Sequence, residues 1–254
     1  MQGLDYLTIG AAALAAGAVN AVAGGGTLIS FPVMTALGMP PVAANVTNTV
    51  ALCPGFIGGM YAQRRDLSGQ GRRLWFLLPI AALGGTAGGI LLLYSGDRVF
   101  RAVVPFLILA ASGLLAAQDA VRFWMQRRAG VPASGGPSEI ARAAAPVGMA
   151  AAYGGYFGAG LGVILLATLG LFLGDSLTRL NALKQALSFG SNLAAALLFV
   201  FSGKVVWSVA LVMATGALIG GSIGGHFASK VHPVALRRAV VVVGFVVGIA
   251  YLLK

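Results

Sequence analysis

Asn181, Lys184, Gln185, Ser188 and Asn192 recur at spacings of three and four inside an otherwise apolar run. On a helix that spacing lines all of them along one stripe. No Asp or Glu lies in the same run to pair with Lys184. An ammonium surrounded by amides and hydroxyls, with no carboxylate partner, is suited to holding a small anion. An earlier run carries Asn45, Asn48 and Thr49, which also share a helical face. Polar side chains facing lipid are costly, so both stripes should face protein or a water-filled cavity. A single such Asn would serve as glue between membrane helices. Five residues on one stripe, a lysine among them, indicate a substrate path.

Glycine-rich breaks supply a second source of anion affinity. Gly24, Gly25 and Gly26 interrupt one apolar segment, and Gly158, Gly160 and Gly162 interrupt another. Half-helices are expected to begin at Thr27 and at Val163. Their free N–H groups and positive dipole ends would point at an anion near mid-membrane. Asn20 and Tyr156 stand at equivalent places just before the breaks and could donate hydrogen bonds there.

The elements that must position these residues follow from composition. The chain has 254 residues, is 58% hydrophobic and only 9% charged, with mean hydropathy +0.91. A soluble domain needs more charge than this to cover its surface, so the chain is read as an all-α, polytopic membrane protein. Apolar segments cover roughly 6–38, 41–62, 74–94, 102–124, 144–174, 180–201, 205–229 and 235–253. Residues 24–118 match residues 160–254 without a gap, at an offset of 136. Gly24, Gly26, Asn45, Gly84, Gly85, Gly88, Gly89 and Arg101 fall on Gly160, Gly162, Asn181, Gly220, Gly221, Gly224, Gly225 and Arg237. The whole chain, 1–254, is thus one membrane domain. It holds two related halves of four segments, 1–124 and 144–254, joined by a cytoplasmic linker, 125–143.

The first segment of each half is too long for one straight span. About 30 residues of helix reach about 45 Å, against about 30 Å of hydrocarbon. Each is therefore a tilted, broken span or a re-entrant hairpin. Cation placement weighs the two, leaving Lys184 aside. Single crossings give parallel halves, with ten Lys and Arg inside and six outside. Hairpins give inverted halves, with twelve inside and four outside. Inversion is favoured, with both termini outside the cytoplasm.

Other functions find little support. The net charge of +11 sits in short loops, not on a nucleic-acid-binding face. Gly84-Gly85-x-x-Gly88-Gly89 follows no strand and precedes no Walker lysine, so it reads as a close-packing face, here or in a homodimer. His226 and His232 are isolated, so neither suggests a metal site. Nothing in the chain asks for a cofactor. No nucleophile–base pair suggests an enzyme. Cys53 lies in an apolar run and reads as packing. Ala21-Val22-Ala23 imitates a leader-peptidase site, but no Lys or Arg precedes Arg64, so this segment is read as structural. All six carboxylates lie at segment ends or in loops. A proton- or sodium-coupled carrier usually holds one in its core, whereas an anion exporter is driven outward by a potential negative inside.

The run Gly17-Ala-Val-Asn20-Ala-Val-Ala-Gly24-Gly-Gly-Thr-Leu-Ile-Ser-Phe-Pro32 resembles the TauE/SafE family of sulfite and organosulfonate exporters. So do Leu37-Gly38-Met-Pro-Pro, Ala44-Asn-Val-Thr-Asn and Tyr153-Gly-Gly-Tyr-Phe-Gly-Ala-Gly-Leu-Gly162. The resemblance implies a multi-pass protein of the bacterial cytoplasmic membrane that exports sulfur-containing anions. One departure stands out: Ala167 and Thr168 lie where the first half has Pro32. The expected site joins Lys184, Asn181, Gln185, Ser188 and Asn192 to Asn45, Asn48, Thr49, Asn20, Tyr156 and the two breaks. An importer or channel for another small anion, such as a carboxylate or chloride, and a non-transporting scaffold are the alternatives.

Overall fold

The structure, a computed structural model, describes residues 3–22, 25–128, 136–227 and 233–253; side chains at 21–22, 57–62, 126, 128, 224–227 and 233–234 lie outside the description. Gly24, Lys230 and His232 fall outside it, as does the side chain of His226. The described residues form helices and no strand: α1 (Gly3–Val22), α2 (Thr27–Ala36), α3 (Pro41–Ala62), α4 (Gly71–Arg128), α5 (Pro137–Tyr156), α6 (Leu161–Phe172), α7 (Leu177–Val200), α8 (Trp207–Phe227) and α9 (Pro233–Leu252).

α4 is two arms meeting at Gly96, whose φ of 65° is left-handed and suits only glycine without strain. The arms, 71–95 and 97–128, replace the expected segments 74–94 and 102–124; no loop separates them. Likewise α4 runs to Arg128 and α5 starts at Pro137, so helix enters the expected linker from both sides.

Three described helices are long and apolar enough to cross a bilayer: 71–125 within α4, all of α7, and 235–252 within α9. On the first arm of α4, Trp75 and Tyr94 are both 87% exposed. Nineteen residues of rise separate them by about 28 Å, the hydrocarbon thickness, which suits an aromatic belt at each interface. Exposed Leu83, Ile90 and Leu91 lie between them. The exterior is apolar because its solvent is lipid.

The first helix of each half packs on the third apolar segment of the other. Tyr6 Oη donates to Ser208 Oγ at 3.1 Å, and further along α1 Gly17 lies against Ala217, so α1 and α8 run parallel. Gly84 lies against Gly148 and Gly88 against Ala152, so the first arm of α4 runs parallel to α5 in the same way. A Cβ at Gly88 would overlap the Ala152 carbonyl, so glycine is what lets these backbones meet. The glycine faces at Gly84, Gly85, Gly88 and Gly220, one motive for expecting a homodimer, are thus covered from within the chain.

Counterpart helices run antiparallel. Gln63, just past α3, meets Asn181 near the start of α7, while Thr47 near the start of α3 accepts from the N–H of Val206, just past α7. Similarly, Arg237 pairs with Asp119, Gly244 abuts Ser112 and Gly248 abuts Leu109, opposing α9 to the second arm of α4.

These contacts settle the path of the long first segments. α1 starts at the Ser208 end, and α2 leads within four residues to Pro41 and then to Thr47, at that same end. The chain therefore turns back between α1 and α2. It does so again between α5 and α6: the end of α6 leads to Asp175, which pairs with Arg73 near the start of α4, the end at which α5 also begins. Arg64, Arg65, Arg72, Arg73, Arg122, Arg179, Arg237 and Arg238 gather at that end, and Arg98, Arg101 and Lys204 at the other.

Candidate functional site

The first break is closed by its own residues. Gly25 takes φ 90°, and the N–H of Gly26 donates to Asn20 Oδ1 at 2.8 Å. α2 then begins at Thr27, as expected. Asn20 therefore satisfies a backbone donor of the break. One turn further, Ser30 Oγ donates to Asn48 Oδ1 at 2.5 Å, and Asn48 Nδ2 donates to Thr27 Oγ1 at 3.3 Å. Ser30, a lone hydroxyl three residues after Thr27, had that spacing as its signal in the sequence.

The second break has different geometry. Gly158 and Gly160 take φ of 83° and 78°, and Tyr153 Oη donates to the Ala159 carbonyl at 2.6 Å. α6 begins at Leu161, two residues before the expected Val163, because Gly160 in the left-handed region caps it. Gly162 consequently lies inside the first turn of α6.

Among the described residues no hydrogen bond joins the two polar stripes directly. Asn45, Asn48 and Thr49 are 0%, 2% and 8% exposed on α3. Asn45 Nδ2 donates to the Tyr156 carbonyl at 2.8 Å, and Thr49 Oγ1 donates to the Asn45 carbonyl at 3.0 Å. Tyr156 thus offers its backbone here, while its ring packs edge-on to Phe100. On α7, Lys184 Nζ donates to Asn181 Oδ1 at 2.9 Å, and Asn181 Nδ2 donates to Gln63 Oε1 at 2.7 Å. Asn48 and Gln63 stand fifteen residues apart in the chain, about 22 Å of helical rise. With α3 and α7 antiparallel, Asn181 therefore lies well along the bundle from Asn48, and Ser188 and Asn192 fall between the two. The second break touches both stripes, through Tyr156 on one flank and Gly162 on the other.

Lys184 lies along Gly162, where an added Cβ would stand 3.8 Å from Nζ. No ion pair joins Lys184 to a carboxylate among the described residues. Asp175 is engaged by Arg73 and Arg179, and Asp119 by Arg237. Gln185 is half-buried beside it, and Ser188, one turn on, is 3% exposed with a buried Oγ that has no partner. Asn45 Oδ1 is also buried without one. Asn192 turns back on its own helix, donating to the Ser188 carbonyl at 2.8 Å.

Sequence reasoning missed Gln63 and the ion cluster at the cationic end. Asp175 accepts from Arg73 at 2.5 Å and from Arg179 at 3.1 Å. Partial burial pushes the Asp175 carboxyl up. Hydrogen bonds from Arg73, the Ser176 N–H and Arg179 outweigh that and hold it below its ordinary value. Gln70 donates to the Arg179 carbonyl and Arg179 to the Ser68 carbonyl, stapling the 63–70 loop to the start of α7. Separately, an apolar groove of about 670 Å³ between Trp124, Pro146 and Phe172 is lined without a charged residue.

A helical bundle with an apolar exterior, glycine-broken hairpins and a half-buried cation among amides is the build of a multi-pass membrane transporter. The chain belongs to the sulfite exporter TauE/SafE family, whose profile matches residues 9–251. It is 29% identical over 251 residues to a probable membrane transporter protein of Haemophilus influenzae, covering 96% of this chain and 93% of that one. It is 27% identical over 238 residues to the probable membrane transporter protein YfcA of Escherichia coli K12, covering 92% and 84%. A probable membrane transporter protein of Sinorhizobium sp, ORF9, is 28% identical over 250 residues, covering 95% and 90%. No solved structure matches the chain.

Proposed function

We propose that this transporter exports a small sulfur-containing anion, sulfite or an organosulfonate, across the bacterial cytoplasmic membrane. The observation that carries the reading is Lys184: a cation within α7, beside the first turn of α6, bonded to an amide and to no carboxylate. Such a charge is offset when an anion arrives, and its departure leaves the Asn181–Gln63 chain to hold the ammonium. The N-terminal N–H groups of α6 add donors on the same side.

The antiparallel pairing of counterpart helices supports an inverted repeat in the bilayer. The crowding of arginines at one end supports placing that end, with Lys184, in the cytoplasm. An anion would then meet Lys184 on entry and leave toward the Asn45–Asn48 stripe, driven by about 2.3 kcal/mol per charge per 100 mV.

The test is anion flux in proteoliposomes under an imposed potential, with sulfite, methanesulfonate, sulfate and chloride offered separately. Selective flux of sulfite or the sulfonate supports the reading. Equal flux of chloride replaces it with a general anion channel, and strict dependence on a sodium gradient overturns the export mechanism.

A further inference from the structure

Three helices of the cationic end leave an apolar groove on the lipid-facing exterior. Ala120 and Trp124 of α4, Pro146 of α5, and Ala167, Thr168 and Leu171 of α6 line its walls, around about 670 Å³. The second arm of α4 and α6 run out together, since Gly160 lies against Ala111 and Gly170 against Met125, and α5 begins at the end where both finish. Gly148 and Ala152 face Gly84 and Gly88, so Pro146 is level with Ala82 and Ser138 with Leu74. Pro146 therefore lies about 10 Å on the hydrocarbon side of Trp75, the aromatic belt of this end. Two cations stand at the mouth. Arg142, one turn before Pro146 on the same face, bends back so that its Nε donates to the Ser138 carbonyl at 3.3 Å, level with the belt. Arg127, on the same face of α4 as Ala120 and Trp124, lies over the Phe123 ring with its guanidinium carbon 4.4 Å from the centroid. Residues 121–128 and 137–146 hold four arginines and one carboxylate, Glu139, which turns Oε2 into the protein.

An apolar trough that runs inward from the belt, with cations at its mouth, matches a phospholipid, whose acyl chains lie below an interfacial phosphate. We propose that this groove holds an acyl chain of an anionic phospholipid, and that Arg127 and Arg142 hold its phosphate. Alanines at 117, 120 and 167 leave the room, and no side chain of the described residues fills it. A second copy seated on the same face would set these arginines against one another across a twofold axis, which charge repulsion opposes. An anionic headgroup offsets the same charges. Neither Lys184 nor the transported anion enters this site.

The experiment measures binding of dioleoylphosphatidylglycerol and dioleoylphosphatidylcholine to the detergent-purified protein by native mass spectrometry, with glycerol phosphate as the free headgroup. Wild type, the double variant Arg127→Gln with Arg142→Gln, and Ala120→Trp are compared. Wild type is expected to hold phosphatidylglycerol about tenfold or more tightly than phosphatidylcholine, since each cation near the phosphate adds to the attraction. The double variant should bring the two lipids to about equal affinity, and Ala120→Trp, which fills the groove, should weaken both. Glycerol phosphate should not bind measurably. Equal affinity for the two lipids in wild type overturns the inference, as does a preference that survives the double variant. Lipid binding untouched by Ala120→Trp places the chain elsewhere and overturns it. Glycerol phosphate bound as tightly as the lipid replaces it with a free phosphate site. A wild-type dimer that Ala120→Trp separates, with no lipid preference, replaces it with a second copy. Should Ala120→Trp fail to fold, Ala117→Leu, at another exposed wall position, is read in its place.

Discussion

Asn48 and Lys184 occupy the same position of the repeat, 136 residues apart, and meet the same kind of neighbour, the first turn of a half-helix after a glycine break. Asn48 is fully engaged there, accepting from Ser30 and donating to Thr27. Lys184 keeps one amide partner and brings a net charge. The breaks differ in step: Asn20 closes the first through its side chain, while the second relies on Gly158 and Gly160 in the left-handed region. One scaffold thus builds a neutral, internally satisfied half and a charged, under-satisfied half. Duplication supplies the bundle, and the departures from symmetry supply the chemistry.

The strongest way to break the comparison is to remove the scaffold both halves share. Gly88→Leu should abolish folded protein, because even a Cβ overlaps the Ala152 carbonyl; monodisperse yield in detergent reads this out. Gly220→Leu should do the same where α8 packs on α1, because a Cβ there overlaps the Leu14 carbonyl. Next in size, Asn181→Ala removes the acceptor of Lys184 and the donor to Gln63. It should lower anion flux about tenfold with the fold kept. Asn48→Ala sharpens the contrast, since it takes the short acceptor of the Ser30 hydroxyl and leaves only the longer bond to the Gly26 carbonyl, at a cost of about 1 kcal/mol. That cost should appear as a lowered melting temperature with flux little changed.

Smaller effects are expected at the glycines and the ion cluster. Gly160→Ala forces a φ of 78° on an L side chain and should cost about 1–2 kcal/mol, whereas Gly162→Ala makes only ordinary contact with Lys184 and should fold normally. Asp175 has a lowered folded pKa, so its contribution is present above the unfolded carboxylate value of about 4 and fades as pH falls through the folded value. Melting curves from pH 7 down to about 3 should lose stability more steeply in wild type than in Asp175→Asn.

The bundle was legible because lipid imposes apolar segments and duplication repeats glycines that close packing demands. The hairpin turn was legible only as one of two options, since charge counts weigh sides of a membrane and say nothing of contacts. How the two stripes sit along one another was not legible. Helical periodicity places Asn45, Asn48 and Lys184 on faces, but only the antiparallel pairing of α3 with α7 sets their levels along the bundle. Gln63 escaped notice because it stands in a turn. Its meaning comes from its partner, Asn181.

The account stands on the charged half. Sulfite or methanesulfonate flux in proteoliposomes should therefore be compared between Lys184→Gln and Asn48→Gln, both shown to be folded. Loss of flux in Lys184→Gln with near wild-type flux in Asn48→Gln is the result expected. Equal flux in the two variants, or loss only in Asn48→Gln, would contradict it.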